Sequence, residues 1–252
     1  LTHHFSHLAK LYFYQSNIMT LWTQSAGILA RGTQISACLG QPLVRLASHK
    51  TPQPGDALVG WGQKANTRQI KQKAHELGLP YWQLEDGFIG YIGHPARGGK
   101  AVSLIADPIG IYYDARQPSQ LEQLIATPCD EAMLARAERL VRELVCLGIT
   151  KYNCYATRPG EPEALTRRLL QDARPRVLLV DQVAGDLSIP GALASEADFI
   201  AMVEAARRNH PNARLLLRTH PDTRFGKKSG VLARLKLSDV EIVADHCHPH
   251  AL

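Results

Sequence analysis

Residues 56–88, DALVGWGQKANTRQIKQKAHELGLPYWQLEDGF, contain one complete strand–helix–strand unit and set the fold class. Asp56-Ala-Leu-Val-Gly-Trp61 is a short apolar run that reads as a buried strand opening into a loop at Gly62. Asn66 or Thr67 can cap a helix whose apolar positions Ile70, Ala74 and Leu77 fall at i, i+4 and i+7, and Gly78 with Pro80 stops it. Tyr81-Trp-Gln-Leu84 is the next strand and delivers Glu85-Asp86-Gly87-Phe88 at its carboxyl end. In open α/β sheets the ligand crevice lies outside such ends.

The same rhythm extends in both directions. Downstream, a strand Val102–Ala106 delivers Asp107-Pro108, and Ile111-Tyr-Tyr-Asp114 follows. Asp130–Leu147 is an amphipathic helix with Met133, Ala137, Leu140, Val141, Leu144 and Val145 on one stripe, expected to face a core. Thr157–Pro175, rich in Arg, Pro and Glu, reads as a domain boundary. A second half then restarts with Val177-Leu-Leu-Val180, the loop Asp181–Asp186, and a capping box Ser195-x-x-Asp198 ahead of Phe199, Met202, Val203 and Ala206. Leu215–Leu217 is a strand delivering Arg218-Thr-His-Pro-Asp222, and Val240–Val243 is the last one. Upstream the pattern begins at about Gly27. The expected organisation is therefore a leader over 1–25 without a readable pattern, an α/β domain over 26–175, and the start of a second one over 176–252, too short to close by itself.

Composition narrows the classes. With 252 residues and 45% hydrophobic content the chain can bury a substantial core. The formal charge of +6 is spread without a run of five basic residues, and only 6% of residues are aromatic, which argues against a nucleic-acid partner. Five widely spaced cysteines without a C-x-x-C pair point to a reducing compartment. No segment has the roughly 18 apolar residues in succession that a membrane span requires, and Leu11–Trp22 lacks the features of a signal peptide.

Four strand ends carry groups able to do chemistry: Glu85-Asp86, Asp107, Asp181 to Asp186, and His220-Pro221-Asp222. Carboxylates there can be nucleophiles, bases or metal ligands, and they can equally cap the turn that follows. Gly226-Lys-Lys-Ser-Gly230 adds two lysines, Lys227 and Lys228, and glycines that let backbone N–H groups approach a phosphate. The spacing is not that of a P-loop, and neither G-x-G-x-x-G after a strand nor G-x-S-x-G is present, so no nicotinamide or flavin cofactor is indicated. His246, His248 and His250 alternate about Cys247 without a second ligand pair and read as an exposed tail, not a zinc site. A metal-dependent phosphoesterase with Asp181, Asp186, His220 and Asp222 as ligands stays open at this point.

Taken together, Gly60-Trp-Gly62, Leu84-Glu-Asp-Gly-Phe88, Ser103–Asp107 with Gly110–Asp114, Lys151-Tyr-Asn153, Asp181-Gln-Val-Ala-Gly-Asp186 and Thr219-His-Pro-Asp222 with Gly226-Lys-Lys228 resemble the bacterial capsule polysaccharide β-Kdo transferases of the KpsC type, over about residues 27 to 245. The resemblance implies two Rossmann-like half-domains of GT-B-like shape, the second incomplete here. It implies a retaining transferase that uses CMP-Kdo, with no cofactor, to build the Kdo linker of a capsular polysaccharide on a lipid anchor. The acceptor would be a glycolipid or Kdo-bearing glycan, and the work would be cytoplasmic, with peripheral contact at the inner membrane. By motif position Asp186 becomes the candidate nucleophile and Glu85 the candidate acid or base, with Asp86, Asp107, Gln182, His220, Lys227 and Lys228 as substrate-binding residues and no metal. The alternative is a truncated or degenerate relative that binds a nucleotide or anionic glycan without turnover.

Overall fold

The computed structural model describes residues 19–47, 49–154, 167–168, 171–243 and 248–249. His3, His4 and His7 of the expected leader lie outside them, as do most of the expected boundary segment, His246, Cys247 and His250. The chain forms two compact units, one running to Glu85 and including Leu104–Ile109, the other comprising Asp86–Ser103 and Gly110 onward.

The first unit is a helix–sheet–helix sandwich. β1 (Leu21–Thr23), α1 (Ala26–Ala30), α2 (Gly32–Leu39), β2 (Leu43–Arg45), β3 (Ala57–Trp61), α3 (Ala65–Glu76) and β4 (Tyr81–Asp86) follow in succession. A small antiparallel hairpin, β5 (Tyr91–Ile92) with β6 (Lys100–Ala101), then leaves for the second unit, and β7 (Leu104–Asp107) returns to complete the sheet. Strand order is β2-β1-β3-β4-β7, with β1 parallel to β2 and β3, and β3 parallel to β4. Side chains alternate across the sheet. Leu21, Ala57, Val59 and Leu84 therefore pack with Ile28 of α1 and Ile35 of α2, while Trp22 and Leu58 pack with Ile70 and Ala74 of α3 on the opposite face. β1 falls within residues 1–25, and at three residues it is too short to show a periodicity.

Local chemistry accounts for the departures from the sequence reading. Neither Asn66 nor Thr67 caps α3: Lys64 occupies the N-cap, and the Thr67 hydroxyl donates to the Trp61 carbonyl at 2.9 Å. Gly60 is glycine because a Cβ there would lie 2.2 Å from the Tyr81 hydroxyl. The expected strand Val102–Ala106 is interrupted. The Ser103 carbonyl accepts from Gly87 N–H, and the Ser103 hydroxyl donates to the Ile89 carbonyl, which turns the chain between β6 and β7.

The second unit holds α4 (Gln120–Ala126), α5 (Glu131–Cys146), β8 (Arg176–Val180), α6 (Ser188–Gly191), α7 (Glu196–Asn209), β9 (Arg214–Arg218), α8 (Pro221–Arg224) and β10 (Val240–Ile242). Its sheet is all parallel in the order β10-β9-β8. Leu179, Leu215, Leu217 and Val240 pack with Val203 and Ala206 of α7, which opens on the expected Ser195–Asp198 capping box. The expectation for α5 is corrected. No residue of that helix is buried, and Met133, Leu134, Leu140, Val141 and Val145 are 44 to 61% exposed. Amphipathic periodicity selects the face that can be covered, and no described element covers it. On the second sheet Leu178, Val180 and Ile242 are exposed in the same way, although the uninterrupted apolar runs of β8 and β9 suit strands buried on both faces. No helix among the described residues is long and apolar enough to cross a membrane.

Candidate active site

The second unit gathers most of the chemistry-bearing residues at the carboxyl ends of β8 and β9. The chain after β8 is zipped to the chain after β9: Ala184 N–H donates to the Ser229 carbonyl, Val231 N–H to the Gln182 carbonyl, and Val183 bridges Gly230. This pairing sets the Asp181–Asp186 loop beside the Gly226–Gly230 segment. Gly230 is required there, since a Cβ would lie 2.3 Å from Asp181 Oδ2. Gly226, at φ +67°, lets the chain reverse so that Lys227 and Lys228 N–H both reach the Asp222 carbonyl.

Within this loop the two aspartates have different roles. Asp181 is buried, and its carboxylate accepts N–H groups from Gln182, Leu232 and Ala233 at 2.9, 2.9 and 3.0 Å. It is a structural anchor, as a carboxylate in a turn can be, and three backbone donors take three of its about four lone pairs, both of those on Oδ1 included. Asp186 is half-buried. Its Oδ1 accepts from Ser188 N–H at 2.9 Å and the Ser188 hydroxyl at 2.7 Å, while Oδ2 has no hydrogen-bond partner among the described residues. One oxygen is thus oriented by Ser188 and the other is not. Gln182 is engaged locally, accepting from Val183 N–H and donating to the Ser188 hydroxyl, so it supports the Asp181–Asp186 loop.

His220 caps α8. Its Nδ1 accepts Asp222 N–H at 3.1 Å, so in the neutral ring the proton sits on Nε2. Burial lowers its pKa below the usual histidine range, Lys228 and Lys151 lower it further, and Asp222 and Asp186 oppose the shift. The ring is therefore a neutral hydrogen-bond donor at pH 7. Lys228 Nζ lies 4.0 Å from Asp222 Oδ2, and both Lys227 and Lys228 are exposed.

The hairpin completes this cluster. Gly90 and Tyr91 N–H donate to the Lys151 carbonyl, and the Asn153 amide donates to the Tyr91 carbonyl, pinning β5 to Lys151-Tyr-Asn153. Gly87 admits the return strand, because a Cβ would lie 1.9 Å from the Ser103 hydroxyl oxygen. Tyr91 donates its hydroxyl to Asp86 at 2.7 Å. Tyr152 stands between Tyr91, His94 and His220, with ring centroids 6.2, 5.2 and 6.0 Å away. Burial, followed by the charges of Asp222 and Asp86, pushes the Tyr152 phenol well above its ordinary pKa, so it remains a protonated donor.

Of the residues singled out in the sequence, Asp86, Gln182, Asp186, His220, Lys227 and Lys228 belong to this unit, whereas Glu85 and Asp107 belong to the first. Glu85 accepts from the Trp61 indole at 3.1 Å. Asp107 is buried and accepts Ile109 N–H at 2.9 Å, which makes it a turn-capping carboxylate. In that unit the strand order reverses between β1 and β3, and a cavity of about 130 Å³ lies there, lined by Thr23, Ser25, Gly60, Asn66 and Thr67. Sequence reasoning overlooked His94, Phe225 and the central place of Tyr152. The His-Pro dipeptide could not have singled them out, since it stands at 94–95, 210–211, 220–221 and 248–249. The exposed-tail reading of His248 is also corrected: the ring is 5% exposed, with Nε2 2.7 Å from the Gly148 carbonyl.

The chain is 32% identical over 232 residues to the capsule polysaccharide modification protein LipA of Neisseria meningitidis serogroup A, covering 91% of this chain and 32% of that protein. It is 34% identical over 181 residues to the lipopolysaccharide-processing protein LpsZ of Rhizobium meliloti, covering 71% of this chain and 39% of LpsZ. The chain thus spans about a third of the length of the curated relatives it matches. Among solved structures, Thermosulfurimonas dismutans KpsC, described as a beta Kdo 2,4 transferase, superposes with a TM-score of 0.78 at 34% identity over 93% of this chain and 71% of that one. The same organism's KpsC beta Kdo 2,7 transferase, at 24% identity and a TM-score of 0.54, shares the fold. The capsule polysaccharide biosynthesis protein model matches residues 56–252, and the chain belongs to that family.

Proposed function

We propose that this chain is part of a retaining β-Kdo transferase that takes Kdo from CMP-Kdo in assembling a capsule linker on a lipid anchor. The observation that carries the reading is Asp186, with one carboxylate oxygen held by Ser188 and the other unpartnered, in the same cluster as neutral His220 and the lysine pair. The solved relative described as a beta Kdo 2,4 transferase supports the sugar, and the relative described as a capsule polysaccharide modification protein supports the setting.

In the proposed reaction Asp186 Oδ2 attacks the anomeric carbon of Kdo. The bond from that carbon to the phosphate oxygen breaks, its electron pair leaves with CMP, and a glycosyl ester forms. An acceptor hydroxyl then displaces the carboxylate, and its proton passes to a base, the part assigned to Glu85. Two inversions retain the β configuration. His220 Nε2–H and the ammonium groups of Lys227 and Lys228 stabilise the departing phosphate, as charge-assisted donors do where negative charge develops. A GT-B arrangement of two half-domains, with the half from Arg176 onward holding the donor, is part of the same proposal, as is peripheral placement at the inner face of the cytoplasmic membrane.

The test is intact mass spectrometry after incubation with CMP-Kdo, comparing wild type with Asp186→Ala. The expected result is a covalent Kdo adduct that the variant does not form. CMP release that is unchanged by the substitution, with no adduct in either protein, would reject Asp186 as the nucleophile. Binding of CMP without release of Kdo by either protein would favour the binding-only relative.

A further inference from the structure

The His-Pro turns at His94 and His220 are built alike, and Asp222 acts electrostatically on both rings. His94 caps the short turn Pro95–Arg97 as His220 caps α8: Nδ1 accepts Ala96 N–H at 3.1 Å, which leaves the proton of the neutral ring on Nε2. His94 is 2% exposed, and its Nε2 lies 3.4 Å from Asp222 Oδ1. The angle falls short of a hydrogen bond, and no other polar partner for Nε2 is found among the described residues, so a buried donor faces this carboxylate alone. The second oxygen of Asp222 lies 4.0 Å from Lys228 Nζ, and the Asp222 carbonyl accepts Lys227 and Lys228 N–H. Phe225, on the same loop, packs against His94 with centroids 4.3 Å apart and the rings tilted by 38°, and carries the Arg97 guanidinium 4.9 Å above its ring.

From this geometry we infer that His94 is a positioning residue for the lysine pair: its Nε2–H, 3.4 Å from Asp222 Oδ1, attracts that oxygen electrostatically without closing a hydrogen bond, so that the other oxygen and the backbone carbonyl fix Lys227 and Lys228. The hairpin that leaves the first sheet thereby sets the phosphate-facing segment from outside it. A neutral donor is suited to this part. It orients Asp222 without cancelling the charge that Lys228 needs as counterpart, and the cap on Nδ1 excludes the other neutral tautomer. The inference rests on the proposed role of Lys227 and Lys228 in binding the donor phosphate.

The two ring nitrogens can be tested separately, because asparagine places an acceptor near the Nδ1 position and glutamine places an N–H₂ near the Nε2 position. Binding of CMP by calorimetry and amide hydrogen exchange at Lys227 and Lys228 are measured for the full chain as wild type, His94→Asn and His94→Gln. His94→Asn, which keeps the cap, is expected to weaken CMP binding about tenfold and to speed exchange at both amides, while His94→Gln stays within about threefold of wild type. The inference is overturned if His94→Asn matches wild type in both readouts, or if His94→Gln is as impaired as His94→Asn, which would assign the effect to ring packing on Phe225. If wild type itself fails to bind CMP, the donor reading fails, and the exchange rates still decide whether His94 holds the segment.

Discussion

Replacing Asp181 separates an anchoring carboxylate from a metal-binding one. Asp181 is 6% exposed, and its two oxygens take three backbone N–H groups, from Gln182, Leu232 and Ala233. In Asp181→Asn the amide oxygen can keep the Oδ1 position and its two donors, which leaves Ala233 N–H facing an N–H₂ group. A hydrogen bond to a charged group is worth about 1.5–3 kcal/mol, and a donor left unmade costs a similar amount, so the loss should be about 2 kcal/mol. At about 2–4 °C per kcal/mol for a chain of this size, the midpoint should fall by about 4–8 °C. Asp181→Ala orphans all three donors and should cost about 3–5 kcal/mol. Thermal unfolding of wild type and both variants, with and without a chelator, measures this. A midpoint for Asp181→Asn within about 1 °C of wild type would refute the anchoring account. A wild type that loses the same stability on chelation, beside variants that are indifferent to it, would restore the metal-ligand reading.

Two further outcomes follow from the structure. His94 and His220 both have lowered pKa values, burial being the leading cause in each, so as pH falls the unfolded chain binds protons before the folded one. Stability should rise with pH from the lowered folded values up to about 6.5, at no more than about 1.4 kcal/mol per pH unit for each histidine, and cease to change from this source above that. Urea midpoints between pH 5.5 and 7.5 should show the slope, and His220→Asn should flatten it; an unchanged slope in that variant would remove His220 as a contributor. On α5, Leu140→Ala should leave the urea midpoint within about 0.5 kcal/mol of wild type because the side chain is 48% exposed. A loss above about 2 kcal/mol would show that the apolar stripe is covered.

How much the sequence disclosed depended on whether the signal was local. β3, α3 and β4 were legible over 56–88 because apolar spacing, Gly78 and Pro80 act within a few residues. The capping box of α7 was legible for the same reason. β1 was not, since three residues have no period, and its partners are distant in sequence: it pairs with β2 and β3, and the Trp22 indole donates to Asp56 at 2.9 Å, 34 residues away. The stripe on α5 was read correctly as a stripe and incorrectly as core. Periodicity belongs to the helix alone, whereas burial depends on what the rest of the molecule brings to it.

The candidate site shows the same limit more sharply. Asp107, Asp181 and Asp186 all follow apolar strands, and nothing in their immediate sequence tells them apart. They differ in who donates to them. Asp107 takes a turn amide two residues on, and Asp181 takes amides 51 and 52 residues away that exist only once Gly230 lets the loops close. Asp186 takes both of its donors from Ser188 on a single oxygen. A carboxylate whose oxygens are both engaged by backbone is part of the scaffold, whatever its motif. One held by a single oxygen keeps both its orientation and a free electron pair. That asymmetry, invisible in spacing, distinguishes Asp186, proposed as nucleophile from its motif position, from the more deeply buried Asp181 five residues before it.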